Sequence, residues 1–297
     1  MIAQAGQKAP FALLPPTTVP VEAPKSVLLA TGSVSAKRPR IHAEVGRYRL
    51  RLAQGTEDRE AAYRLRFKVF NIELGEGLER SYETGIDTDH FDVFCEHLLV
   101  EDKTDGRVVG TYRMQSGSTA AVNLGYYSAQ EFEFAPYEPL RRDILELGRA
   151  SIDREHRTPE VLTLLWRGIA QYANEMGLRY LIGCSSLNSK DPGEGWQMYR
   201  ELERYRVSPE FETMPTMAYE CPREQAGGET QSSTDPQSHS MPTKVPKLLK
   251  TYLTIGARIC APPAWDREFG TIDFLTLLDL KMLSPAARNR FLAPLTQ

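Results

Sequence analysis

The segment from residue 144 to residue 184 most constrains the fold, because it places one long amphipathic helix between two apolar strands. The helix is predicted in "TPEVLTLLWRGIAQYANEMG", where Thr158 is the N-cap, Pro159 lies in the first turn and Gly177 ends the helix. "ILELGRASI" precedes it, and the continuous apolar run "LRYLIGC" follows, as in a sheet covered on both faces. This order predicts a parallel β-α-β crossover.

The elements on either side predict an α/β fold with a mixed central sheet flanked by helices. An alternating strand covers about residues 47 to 53, and an amphipathic helix follows in "TEDREAAYRLRFKVF". "HLLVEDKTDGRVVGTYRM" predicts a hairpin that turns at Asp105 and Gly106, and "DPGEGWQMYRELERY" begins a last helix. Antiparallel hairpin strands beside a parallel crossover make the sheet mixed.

Composition divides the chain into four segments with different predicted roles. The first is rich in Pro, Ala, Thr and Val and is predicted to be a disordered tail, while the third is a polar Gly/Ser/Pro-rich linker. The second holds the folded domain, and the fourth is a C-terminal extension. Their ranges are 1–45, 46–220, 221–244 and 245–293.

The C-terminal extension has two alternative predicted positions. It either packs on the folded core or lies at a membrane interface. Four basic residues among apolar ones suggest the interface, because such a pattern is attracted to anionic lipid. They are Lys244, Lys247, Lys250 and Arg258. The same basic residues suit an acidic protein partner equally well.

The overall composition excludes several classes of protein. The 297-residue chain carries 36 basic and 39 acidic side chains, so its net charge of -3 gives no reason to expect a nucleic-acid partner. The four cysteines form no CxxC pair and the five histidines show no ligand spacing, so we expect neither disulfides nor a metal site. No apolar run reaches the roughly 20 residues of a membrane span. We therefore expect a cytoplasmic protein with at most peripheral contact to the inner face of the membrane.

Two charges in the strand before the long helix are the first candidates for chemistry. Glu146 and Arg149 stand in "ILELGRASI", although a core strand needs neither. In a regular strand, residues three apart point to opposite faces. The pair either carries chemistry or is a purely structural ion pair within the sheet.

Three further features place charges in unusual positions. Arg66 and Phe70 lie on one face of the predicted helix. The alternative is that Arg66 is an ordinary basic residue at the solvent edge of an amphipathic helix. Arg113 ends an apolar strand, so it either reaches the rim of the sheet or pairs with a carboxylate. The loop after the first helix carries three aspartates, which are typical of a solvated turn and fit a calcium loop poorly. They are Asp87, Asp89 and Asp92.

In this order and spacing, the charged residues resemble the acyl-homoserine-lactone synthases, whose fold is GNAT-like. The residues that carry this resemblance are Arg66-xxx-Phe70, Asp89-xx-Asp92, Arg113 and Glu146-xx-Arg149. A more extensive resemblance, over roughly residues 47 to 293, is to the ornithine-lipid N-acyltransferases. It rests on "ELGRASIDREHR", "LLWRGIAQYA", "GCSSLNSKDP" and "VPKLLKTYLTIGARICAPPAWDREFGTIDFLTLLDL".

The second resemblance implies a GNAT-like domain that moves a 3-hydroxyacyl chain from acyl carrier protein to the α-amine of L-ornithine, giving lyso-ornithine lipid. It implies no bound cofactor, since the chain arrives as a phosphopantetheine thioester. Ordinary GNAT enzymes hold the diphosphate of coenzyme A at a glycine-rich turn before the long helix. This chain has "REHRTPEVL" there, which favours the carrier protein as donor.

The same resemblance suggests roles for the charged residues. Because GNAT folds carry a bulge in this strand, it also implies an irregularity from Leu147 to Arg149, easiest at Gly148, that turns Glu146 and Arg149 toward one cleft. Glu146 is the expected general base for the α-amine, directly or through one water. The three arginines hold the substrate carboxylate or support the acids, and Asp89 and Asp92 bind the distal amine or position the arginines. Backbone amides near Ser151 and Ile152 are expected to stabilise the oxyanion.

Three alternatives to this reading are open, of which the second keeps the class and changes only the acceptor. The first is an acyl-homoserine-lactone synthase that uses S-adenosylmethionine, against which the C-terminal extension and the lack of a tryptophan shortly after Phe70 both argue. The second is an N-acyltransferase for another amino acid, such as glycine, glutamine or lysine. The third is a non-enzymatic module that binds lipid or carrier protein, which has no need of Glu146.

Overall fold

The computed structural model describes residues 38–223 and 245–291. Residues 1–37 of the predicted disordered tail and residues 224–244 of the predicted linker lie outside the described residues. The range predicted for the tail nevertheless extends too far, because His42–Val45 is a strand. Strand pairing establishes this element, and a boundary drawn from composition does not detect it.

Nine strands are present in the described residues. They are β1 (His42–Val45), β2 (Tyr48–Leu52), β3 (Glu96–Asp102), β4 (Val108–Ser116), β5 (Ile144–Ile152), β6 (Tyr180–Leu187), β7 (Arg258–Ile259), β8 (Ala264–Asp266) and β9 (Thr271–Asp279). They form one sheet in the order β1-β2-β3-β4-β5-β6-β9-β7, and β8 also pairs with β9. Only β5 and β6 are parallel, so the predicted mixed sheet is confirmed.

Seven α-helices flank the sheet in the same parts of the chain. They are α1 (Gly55–Phe67), α2 (Ser81–Thr84), α3 (Gly117–Val122), α4 (Pro159–Glu175), α5 (Pro192–Glu201), α6 (Lys247–Ile255) and α7 (Pro285–Phe291). The predicted crossover helix is α4, with the Thr158 side chain accepting from the Val161 amide and Pro159 at its start. None of the described helices combines the length and the apolar content that crossing a membrane requires.

The C-terminal segment supplies an internal strand of the sheet. β9 pairs with β6 from Ile272 to Asp279 and is buried along almost its whole length. Its near-continuous apolar sequence is typical of a strand that is covered on both faces. α6 buries Leu249 and Leu253 against the same region, and Cys221, the first residue of the predicted linker, is buried too. The segment is therefore integral to the core.

β5 and β6 are joined only at their first residues. Their ladder runs from the pair Ile144–Tyr180 to the pair Glu146–Ile182 and ends there. Beyond this point β5 continues to pair with β4, and β6 continues to pair with β9. A gap between two central strands is the result.

Gly183 lies at the start of this gap, immediately after the last paired residue of β6. A Cβ atom at Gly183 would stand 2.2 Å from the carbonyl oxygen of Leu147 on β5. Only glycine permits so close an approach of two backbones.

Replacing Gly183 by alanine is expected to destabilise the protein by about 1–3 kcal/mol, because the added methyl group overlaps a backbone oxygen. Urea unfolding followed by circular dichroism measures the change. Gly148→Ala is the matched control, since its Cβ would contact only the Arg113 side chain, at 3.9 Å. If Gly183→Ala is as stable as the wild type, the two strands separate at this point more easily than the structure indicates.

Candidate active site

A cavity of about 540 Å³ occupies the gap between β5 and β6. Leu147 and Glu146 are adjacent on β5, and Leu181 and Ile182 are adjacent on β6, and all four line the cavity. Successive residues of a strand point to opposite faces of the sheet. The cavity therefore has walls on both faces of the sheet and passes through the gap.

The two halves of the cavity differ in character. The half on the α4 face is apolar and is lined by Tyr112, Leu147, Trp166, Leu181, Leu249 and Tyr252. The half on the other face carries polar and charged groups, including Arg113, Gln115, Ser128, Glu131, Glu146 and Asp273. An elongated apolar group and a polar group can thus meet where the sheet opens.

Glu146 lies at the point where the β5–β6 ladder ends. Its carboxylate accepts hydrogen bonds from the backbone amides of Tyr127, at 2.9 Å, and Ser128, at 2.8 Å. Burial raises the pKa of Glu146, while the two amide donors and then the charge of Arg113 act in the opposite direction. A carboxylate that is fixed in place and has a raised pKa suits a general base near neutral pH.

The strand is irregular immediately after Gly148, as predicted. The register of β5 against β4 shifts between Thr111 and Arg113, and Arg149 has φ 51°. Arg149 is the only non-glycine residue with positive φ in the described parts of the chain. A left-handed conformation costs such a residue about 1–2 kcal/mol, and backbone strain of this kind clusters at functional sites. Both Glu146 and Arg149 line the cavity, so the prediction of a common cleft is confirmed.

Arg66 is fully buried, so the alternative that placed it on the solvent edge of its helix is wrong. Its Nε donates to Asp87 at 2.7 Å, and its two Nη atoms donate to Asp92 at 2.7 and 3.0 Å. The loop aspartates are correspondingly paired, and Asp87 and Asp92 are buried, so a solvated turn is excluded. Two carboxylates satisfy a buried guanidinium, and helical spacing alone does not reveal such partners.

The same ion network includes the two arginines that line the cavity. Arg113 Nη1 donates to both carboxylate oxygens of Asp89 at 2.7 Å, so its pairing with a carboxylate is confirmed. Arg149 Nη2 donates to Asp89 at 3.0 Å. Burial by itself would raise the pKa of Asp89, but Arg113 and Arg149 outweigh it and hold that pKa below its usual range. Asp89 is therefore anionic at neutral pH and fixes both guanidiniums.

Of the three remaining predicted site residues, Phe70 lines the cavity, whereas Ser151 and Ile152 do not. Phe70 is buried, lines the cavity and packs edge-on against Phe269, with ring centroids 5.4 Å apart. Ser151 and Ile152 pair with β4 and do not line the cavity, whereas the stretch of β5 from 146 to 150 does. The backbone that borders the cavity thus begins several residues before the predicted oxyanion position.

Four acidic residues at the cavity were not singled out from the sequence. They are Glu76, Glu131, Asp266 and Asp273. Burial raises the pKa of Glu76 to about 7, with the charge of Asp273 adding to the effect. Burial also raises the pKa of Asp273 to about 6 and the pKa of Glu131 well above its usual range. One signal was available, because Asp273 interrupts an apolar strand just as Glu146 does.

Comparison with known proteins identifies the class of this site. Residues 65–167 match the acetyltransferase (GNAT) domain family. The L-ornithine N(alpha)-acyltransferase of Rhodobacter capsulatus is 28% identical over 256 residues, covering 82% of this chain and 93% of that protein. The enzyme of the same name from Brucella abortus is 28% identical over 280 residues, covering 83% and 92%. This chain is an acyltransferase with a GNAT-like fold.

The resemblance to the ornithine-type acyltransferases is thereby confirmed. Among solved structures, the N-acyl amino acid synthase FeeM from uncultured soil microbes has a TM-score of 0.48 at 11% identity, covering 84% of this chain and 97% of that one. That structural likeness is too slight to support any argument about the acyltransferase. The divided cavity described above therefore remains the main structural evidence for what it binds.

Replacing Asp92 by asparagine in the acyltransferase is expected to cost about 3–5 kcal/mol of stability, because Arg66 loses one of its two buried counter-ions. Guanidinium unfolding at pH 7 measures this loss. Asp105→Asn, which alters an exposed pair with Arg107, is the control and should change stability by no more than about 0.5 kcal/mol.

The pH dependence of this loss has a defined sign. The pKa of Asp92 is lowered, because Arg66 and Arg113 outweigh the opposing effect of burial. Its stabilisation is therefore complete above the unfolded pKa of about 3.9 and is lost as the pH falls below that value. The difference between wild type and Asp92→Asn should be constant from pH 5 to 8 and shrink in stronger acid. A difference that grows on acidification contradicts the ion network.

Proposed function

We propose that the protein transfers an acyl chain from the thioester of acyl carrier protein to the α-amine of L-ornithine, giving lyso-ornithine lipid. The division of the cavity supports this most directly, since an apolar half and an acidic half meet at Glu146. The curated relatives are named L-ornithine N(alpha)-acyltransferase, which suggests L-ornithine as the acceptor.

The reaction needs a neutral amine, an aligned carbonyl and stabilisation of the oxyanion. The α-amine has a pKa near ~8, so a carboxylate can take its proton more easily than that of a side-chain amine near ~10.4. Glu146 is the base that accepts this proton, directly or through one water. The neutral amine nitrogen attacks the thioester carbon, and the C–S bond breaks. The carrier sulfur leaves as a thiolate and takes up the proton that the nitrogen releases as the amide forms. Backbone amides of β5 beyond Glu146 are the candidate oxyanion donors.

Arg149 is the candidate for holding the carboxylate of the acceptor. It lines the cavity, Asp89 accepts from one of its Nη atoms, and its Nε lies 3.6 Å from Asp87. The remaining Nη donors of a rigidly held guanidinium suit the recognition of a carboxylate. The strained backbone of Arg149 is consistent with a side chain that must point into the cavity.

The acyl chain is assigned to the apolar half of the cavity. Trp166 of α4 and Tyr252 of α6 contact each other edge-on there, and the hydroxyl of Tyr252 is hydrogen-bonded to that of Tyr112. α6 also exposes Lys247 and Lys250 while burying Leu249. An acidic carrier protein or an anionic bilayer can approach these lysines, so peripheral membrane contact is part of the proposal.

The start of α4 supports a carrier protein over coenzyme A as donor. The carboxylate of Asp153 accepts a hydrogen bond from the Glu155 amide at 3.1 Å and from Lys68 at 2.7 Å. Thr158 in turn caps α4. The stretch 153–158 contains no glycine, so it offers no tight glycine-based cradle for a diphosphate, whereas phosphopantetheine carries only one phosphodiester.

Purified protein, supplied with a 3-hydroxyacyl chain on acyl carrier protein and with L-ornithine, is expected to form Nα-acylornithine. Mass spectrometry identifies the product, and the acyl-coenzyme A thioester of the same chain should react more slowly. An acyl-homoserine lactone made with S-adenosylmethionine would instead identify a lactone synthase. Transfer to glycine or glutamine alone would change the acceptor, and the absence of any product would support a binding module.

Glu146→Gln is expected to lower kcat about 100- to 10,000-fold with little change in the KM for ornithine, because the amine loses its base. Since the pKa of Glu146 is raised, the acid limb of the wild-type kcat profile should lie above the usual range of a glutamate and be absent in the variant. Glu138→Gln, at an exposed residue, is the control. Normal turnover by Glu146→Gln excludes this residue as the base.

A further inference from the structure

Three buried carboxylates form a cluster at the polar half of the cavity. Glu131 follows the turn Tyr127–Gln130, Asp266 ends β8 and Asp273 lies on β9. One carboxylate oxygen from each lies within 4.8 Å of the others. Three separate segments of the chain thus place acids at one point of the cavity wall.

The cluster lacks the counter-charge that its burial requires. Glu131 is 1% exposed, and the polar groups that interact with its carboxyl group are the Cys184 thiol and a second acid, Asp273, neither of which is a cation. Asp266 is close enough to Arg149 to be affected by its charge, yet burial still raises the pKa of Asp266. A buried carboxylate without a counter-charge is expensive, and such groups occur where a ligand supplies the missing charge.

The charges around the whole cavity show the same imbalance. Five acidic side chains line it, namely the cluster, Glu76 and Glu146, against two basic ones, Arg113 and Arg149. Both arginines already pair with Asp89, which is not among the lining residues. The cavity therefore favours a ligand that carries positive charge of its own.

We propose that Glu131, Asp266 and Asp273 form the subsite that binds the side-chain ammonium of the amino-acid acceptor. An alkylammonium offers three N–H donors, which matches three convergent carboxylates. The α-amine must lose its charge beside Glu146, whereas a side-chain amine with a pKa near ~10.4 stays charged and needs counter-ions elsewhere. The assignment rests on the proposed function and identifies what selects a basic acceptor over a neutral one.

The two acidic positions are linked through one turn of the chain. The Ser128 amide holds Glu146, and the Glu131 amide donates to the Ser128 carbonyl, three residues back. Both carboxylates line the polar half of the cavity. A diamino acid has two nitrogens, roughly 6 Å apart in extended ornithine by standard bond lengths. The arrangement therefore suits an acceptor with its α-amine at Glu146 and its second amine at Glu131.

The test compares two acceptors and one variant. L-norvaline has the carbon chain of ornithine without the side-chain amine. With one carrier-bound acyl donor, the wild type should prefer ornithine over norvaline in kcat/KM, and Glu131→Gln should lower kcat/KM for ornithine about 100-fold, mainly through KM. Its kcat/KM for norvaline should stay within about threefold of the wild type. Glu133→Gln, at an exposed residue two positions away, should leave both values unchanged.

A binding measurement without donor keeps this test separate from that of the proposed function. Ornithine should raise the unfolding temperature of the wild type but not that of Glu131→Gln, and norvaline should raise neither. If no transfer is detected with any acceptor, the proposed reaction fails, and this measurement still decides the subsite. The unliganded Glu131→Gln should unfold no earlier than the wild type, because an unpaired buried acid has been removed.

Three outcomes would overturn the subsite. An equal loss of activity toward ornithine and norvaline would show that Glu131 supports the fold of the site rather than the ammonium. Stabilisation of Glu131→Gln by ornithine to the same degree as the wild type would show that the ammonium binds elsewhere. Stabilisation of the wild type by Mg²⁺, Ca²⁺ or Mn²⁺ alone, lost in Glu131→Gln, would make the cluster a metal site.

Discussion

The early end of the ladder between β5 and β6 is the constraint on which the site depends. Two central strands that stop pairing leave backbone amides and carbonyls without partners, which a fold normally avoids. Here each strand keeps its other neighbour, so the gap persists without local unfolding. The gap exposes backbone donors beside Glu146 and connects the two faces of the sheet. An acyl thioester and an amine can therefore approach from opposite faces.

Two elements outside the crossover maintain this gap. β9 pairs with β6 along its length, so β6 remains an internal strand although β5 has left it. The bulge at Arg149 shifts β5 against β4 and aims the arginine into the cavity. The C-terminal segment is thus part of the candidate active site, through β9, β8 and the cavity-lining residues of α6.

The sequence predicts regular elements better than it predicts their partners. Thr158, Pro159 and Gly177 mark the bounds of α4, and local capping chemistry suffices for that. The bulge was predictable only with the resemblance to GNAT folds, which carry one in this strand; the two charges alone show no more than a conflict with alternation. The burial of Arg66 was not, since it depends on aspartates more than 20 residues away in the sequence. The acids of β8 and β9 were missed for a related reason. The position that a strand after the linker takes in the sheet cannot be read from the residues next to it in the sequence.

Two groups of buried charges in this molecule have different roles, because one is balanced within the chain and the other is not. The arginine–aspartate network matches three guanidiniums with three carboxylates, so its charges are balanced within the chain and hold the loop against α1, β4 and β5. The carboxylates of Glu131 and Asp273 have no such balance, and burial raises their pKa values. A fold gains no stability from unpaired acids, but it gains affinity for a cation that arrives with the substrate. The first group thus makes the site rigid, and the second makes it selective.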